Sequence, residues 1–129
     1  MRSKDNLLRL HRFKLEERRR QVAEIEQMIA EFLRKQDELE AHIRMEENRN
    51  GVSDPAHFNY STSAKASRLR RDNLLRSIGE LKDQLDSAKT LLAEEESELR
   101  KIELLAEKEG EARAEVPAVP TPQSVSYIR

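Results

Sequence analysis

The sequence has no cysteine and no tryptophan, so neither a disulfide framework nor a thiolate metal site is available to it. Aromatic residues make up only 4% of its 129 residues, few for the large side chains that fill the core of an enzyme domain. Long apolar runs are missing as well. No stretch approaches the roughly 18 apolar residues of a membrane span. The basic first 20 residues include Asp5, Glu16 and Glu17 and lead into no apolar run of the kind a signal peptide needs. A cytoplasmic chain without direct membrane insertion is the expectation. Glycine and proline are scarce, at three and four. No proline lies between Met1 and Asp54 or between Ala56 and Val116, which leaves two stretches free to be helical.

Charge is what the sequence has in quantity: 38% of residues, with 24 basic and 25 acidic side chains and a mean hydropathy of −0.86. So polar a chain stays unfolded unless its apolar residues recur along one stripe. Steps of three and four select Leu8, His11, Leu15, Arg18, Val22, Ile25, Ile29, Phe32, Gln36, Leu39, Ile43 and Glu46 in the first stretch. The second gives Ser67, Arg71, Leu74, Ile78, Leu81, Leu85, Ala88, Leu92, Glu95, Leu99, Ile102 and Ala106. Most of these are apolar, at the heptad spacing of a coiled coil.

The expected fold is all-α: a long antiparallel two-helix coiled-coil hairpin over residues 1–110, with helices at about 4–50 and 62–109 and a loop at about 51–61. Gly51 and Gly110 read as left-handed helix ends. Ser3 or Asp5 is expected to cap the first helix and Thr62 or Ser63 the second, while Asp54-Pro55 marks a turn. Residues 111–129, with Pro117, Pro120 and Pro122, lack periodicity and read as a disordered Pro-rich tail.

Charge sorts by segment. Residues 1–20 have eight basic against three acidic side chains, 21–50 four against eight, 51–76 five against two, and 77–110 five against ten. Folding back sets opposite signs side by side, with Arg18, Arg19 and Arg20 expected near Glu94, Glu95 and Glu96, and Glu46 and Glu47 near Arg68, Arg70 and Arg71. Such exposed pairs contribute about 0–1 kcal/mol each and matter mainly for register and direction.

No nucleophile with a neighbouring base and no Gly-rich phosphate loop occurs, so no enzyme activity, catalytic residue, cofactor or metal is expected. His11, His42 and His57 are scattered, and the face shared by Glu38, His42 and Glu46 reads as solvated charge. The basic start is superficially like a DNA-binding basic zipper. However, its heptads begin inside the basic segment and Glu16 and Glu17 would face phosphate, so no nucleic acid is expected as a partner. Gly79 interrupts the second helix, for close packing or for local flexibility.

Surplus apolar residues off the stripes point to binding. Leu7, Leu10 and Phe13 at one chain end and Leu91, Leu104 and Leu105 toward the other suggest a docking surface, as in helix-in-groove recognition. Val52, Phe58 and Tyr60 in the loop read either as a plug or as a second patch.

The run Leu10-x-x-Phe13-x-x-x-Glu17-x-Arg19-Arg20-Gln21-Val22-Ala23-x-Ile25-Glu26 resembles the start of the flagellar export protein FliJ family, particularly its alphaproteobacterial branch. So does Gly51-x-Ser53-Asp54-Pro55-x-His57-Phe58-x-Tyr60-x-Thr62-x-Ala64-Lys65-Ala66 with Arg70-Arg71-Asp72-Asn73-Leu74, and the similarity spans about residues 4–106. The loop motif is the more specific part, because coiled-coil geometry does not dictate it. The resemblance implies a non-enzymatic, stalk-like antiparallel coiled coil in the type III protein export apparatus that serves flagellum biogenesis and motility. It would promote assembly or activity of the ring of the export ATPase FliI and couple it to the export gate protein FlhA and to export chaperones, peripherally at the inner-membrane flagellar base.

From position and expected exposure, Arg9, Leu10, Arg12, Phe13, Lys14, Arg18 and Arg19 are the candidates for the ATPase end. Phe58, Tyr60, Lys65 and Leu69 are those for the loop tip. One departure from the family is an expected helix end near Gly110, where longer members continue. The competing expectation is a structural coiled-coil scaffold or self-associating adaptor unrelated to export.

Overall fold

The computed structural model describes residues 2–115, and the expected tail falls outside these beyond residue 115. Two helices account for nearly all of the described chain: α1 over Arg2–Asn50 and α2 over Thr62–Glu115. They pack against each other as the two arms of a helical hairpin, and no strand occurs among the described residues. The heptad stripes are the reason. Every one of the 24 positions selected above is buried or half-buried, with Leu15, Val22, Ile29, Ile43, Ile78, Leu81, Ala88, Leu99 and Ile102 the most enclosed.

The described residues divide into two compact units: 2–16 with 93–115, and Glu17–Leu92. In the first, Leu8, Leu15, Leu99 and Ile102 form the apolar seam. Its polar layer is His11, whose Nδ1 lies 3.0 Å from Glu95 Oε2, both side chains half-buried. Lys4 pairs with Glu109 and Arg12 with Glu103, at 3.5 Å for the latter, so the two helices run in opposite directions here.

In the second unit the same antiparallel sense follows from Lys89 with Glu26 (4.0 Å) and Arg71 with Glu40 (3.1 Å). Arg71 pairs with Glu40 rather than with Glu46 or Glu47, which accept hydrogen bonds from Ser61 and Tyr60; of the expected neighbours Arg68, Arg70 and Arg71, Arg68 stands by the Tyr60 hydroxyl that donates to Glu47. Long side chains reach about one turn along the partner helix, which shifts individual partners without moving the seam. Arg18 and Arg20 bond within α1, to Gln21 and Glu17, and the carboxylate of Glu95 takes His11.

Three sequence expectations about helix ends need correction. Gly110 lies inside α2, which continues to Glu115. Among the described residues only Gly51 takes a left-handed conformation, at φ 76°, where its N–H donates to Glu47 O and closes α1. The cap of α2 is Ser61, whose Oγ accepts the Ala64 N–H at 3.1 Å, one residue ahead of the expected Thr62 or Ser63. Ser3 and Asp5 stand within α1, Asp5 in its first turn. Around Gly79 nothing lies within 4 Å of an added Cβ, which removes close packing as the reason for that glycine.

Candidate docking surfaces

The loop between the helices is built by its own polar groups. Asn50 Nδ2 donates to Asn59 O, Asp54 Oδ1 accepts the Ala56 N–H and Asp54 O accepts the His57 N–H, so the expected Asp54-Pro55 turn is present. His57 stacks on Phe58 with ring centroids 4.7 Å apart. Tyr60 turns the other way. It is buried at 8% exposure and its hydroxyl donates to Glu47 Oε2 at 2.6 Å. Burial, then the bond to Glu47, raises the Tyr60 phenol above its ordinary range.

Of the four tip candidates, Phe58 (91% exposed) and Leu69 (63%) present apolar surface, and Lys65 is exposed beside Leu69. Tyr60 is removed from that surface: it is the plug, because a phenol at the end of α1 fills the reversal and finds an acceptor there. Lys65 and Leu69 line a groove of about 530 Å³ with Pro55, Thr62, Ala66, Arg68 and Asp72. Lys65 has no ion-pair partner among the described residues, while Asp72 is held by Arg71 at 3.1 Å. The hydrogen bond to Glu40 raises the Arg71 guanidinium further, so Arg71 is a fixed cation in the seam.

In the first unit, Leu7, Leu10 and Phe13 are 40%, 47% and 62% exposed, and Leu104 and Leu105 are 52% and 57% exposed. Spacings of three residues on α1 carry the first three along a face turned away from the Leu8–Leu15 seam. On α2, Leu104 and Leu105 sit between Lys101 and Lys108 and line with them a groove of about 360 Å³. Arg9, Arg12 and Lys14 are exposed near Leu10 and Phe13, Arg12 being the one engaged with Glu103. Arg18, half-buried, and Arg19, exposed, belong to the second unit, as does Leu91.

Sequence reasoning missed the polar contacts that cross the seam. His42 Nδ1 lies 2.9 Å from Ser67 Oγ, and its Nε2 lies 3.4 Å from Ser63 Oγ. The i, i+4 pattern of Glu38, His42 and Glu46 showed a polar face. A buried serine at position 67 of the heptad was the signal that part of this face is turned inward. Among the described residues no cluster of three His, Asp or Glu side chains is placed to hold a metal ion, and no helix is long and apolar enough to cross a membrane. Comparison with protein-family models, with curated proteins and with solved structures finds no match.

Proposed function

We propose that the chain is a stalk-like adaptor of the flagellar type III export apparatus, which promotes assembly or activity of the export ATPase FliI and couples it to the gate protein FlhA and to export chaperones. On this reading it is not itself an enzyme, and it works in the cytoplasm at the inner-membrane base of the flagellum. The observation that supports the reading most is the exposed apolar side chains of the first unit, Leu7, Leu10, Phe13, Leu104 and Leu105, set among cations on helices whose seam is already filled. Side chains of this size left outside a completed core mark a surface used by a partner. The resemblance of the loop motif to the FliJ family supplies the identity of that partner.

A face that meets several equivalent ring subunits in turn works best with small apolar patches and charges, which attract without locking. Arg9, Leu10, Arg12, Phe13 and Lys14 have that character. At the loop, Phe58, Lys65 and Leu69 are the candidates for the gate or the chaperones.

The test is the ATPase rate of purified FliI with and without this chain, alongside light scattering of both. Stimulation with ring assembly by a monomeric chain is expected, and Leu10→Asp with Phe13→Asp abolishes it while helicity by circular dichroism is unchanged. A stable dimer that leaves the ATPase rate untouched sinks the proposal and favours a self-associating scaffold.

A further inference from the structure

Within the second unit the seam opens on one side into a groove of about 520 Å³, lined by Gln21, Glu24 and Ile25 of α1 and by Asp83, Gln84, Ser87, Ala88 and Leu91 of α2. The cause is side-chain size. Ser87 and Ala88 stand where a larger pair would fill the space beside Ile25, so half-buried Ile25 and Leu91, 39% exposed, flank a shallow apolar groove over the buried Ala88. Gln84, Ser87 and Leu91 follow the three-and-four spacing of one helical face. Met28, seven residues on from Gln21 and 43% exposed, continues apolar surface along α1. The stripe thus has the dimensions and the small-residue floor that let a third helix approach closely.

Its rim is acidic. Glu24 and Asp83 have no ion-pair partner among the described residues, whereas Glu26, close by in sequence, is matched by Lys89. The surrounding segments are acidic too, with four basic against eight acidic side chains over residues 21–50 and five against ten over 77–110. From the apolar floor and the unmatched carboxylates we infer that this groove docks a cationic amphipathic helix of another protein. Its aliphatic side chains would pack on Ile25, Ala88 and Leu91, and its lysines or arginines would reach Glu24 and Asp83. The groove shares no residue with the surfaces assigned under the proposed function, so loss of ATPase stimulation leaves it standing.

The test uses the full chain and a fluorescein-labelled leucine–lysine amphipathic peptide of about 18 residues, five helical turns, with a leucine–glutamate peptide of the same pattern as control. The chain has no native cysteine, so a benzophenone attached at Gln84→Cys reports contact with the groove, and the same label at exposed Lys82→Cys, about 160° around the helix from position 84, reports the other side of α2. Binding of the leucine–lysine peptide alone, weakening as salt rises, with crosslinking from position 84 and not from 82, is expected. Glu24→Gln with Asp83→Asn weakens it by about tenfold through loss of the paired charges. Ser87→Phe, which fills the groove and leaves the seam intact, abolishes it. Equal binding of both peptides, equal crosslinking from both positions, or self-association of the chain that is lost in Ser87→Phe overturns the inference.

Discussion

Tyr60 shows how one residue closes the hairpin. Its ring is enclosed at the reversal, and its hydroxyl donates to Glu47, itself half-buried at the last turns of α1. Tyr60→Phe keeps the ring and leaves Glu47 short of a donor, which costs about 1–2 kcal/mol of stability. Burial and Glu47 raise the Tyr60 phenol above its unfolded value of about 10. The unfolded chain therefore loses this proton first as pH rises. The contribution is intact below about pH 10 and fades as pH climbs through the raised value. Denaturant melts of the native chain at pH 8 to 11 are expected to show this alkaline loss, and Tyr60→Phe to lack it.

At the scale of the element, the two glycines at 51 and 79 have opposite roles, and their replacement by alanine separates them. Gly51 ends α1 in the left-handed region, at φ 76°, with space around it. Alanine there meets no atom and costs only the strain of its backbone, about 1 kcal/mol. Gly79 stands inside α2, again with nothing within 4 Å. Alanine there is expected to stabilise by about 0.5–1 kcal/mol, because helix propensity improves and no contact is disturbed. Thermal melts followed by circular dichroism distinguish the two, and destabilisation by Gly79→Ala would mean that α2 needs a soft point. The half-buried His11 and Glu95 act on α1 and α2 in the same restrained way. A polar pair in an apolar seam costs stability and makes a shifted register leave one partner unmatched.

For the whole molecule, charge nearly cancels, with a net of −1 and a sequence isoelectric point near 6.3. Twelve large apolar side chains, Phe58 and Leu69 among them, remain exposed on the described residues. Near the isoelectric point little net repulsion keeps such surfaces apart. Light scattering from pH 5 to 8 should therefore find self-association greatest near pH 6.3, falling away on either side. Self-association of equal strength at pH 8 and low salt would instead indicate a specific interface between copies.

The two helices, their seam and the exposed apolar residues were legible in the sequence because each follows from spacing: period 3.6 for the helices, three-and-four steps for the stripes, and absence of proline for their length. The charge blocks pointed correctly to an antiparallel arrangement. Which side chains meet did not follow from spacing. Long charged side chains choose among partners within a turn, so Arg71 takes Glu40 and Glu95 takes His11. Three-dimensional packing also decided that Tyr60 plugs the loop where Phe58 stays outside, that Ser61 caps α2, and that α2 runs through Gly110. A glycine in open space permits a helix end without imposing one. The groove beside Ile25 belongs to the same class: serine and alanine at 87 and 88 are ordinary helix residues in the sequence, and only the facing helix turns their small size into a surface.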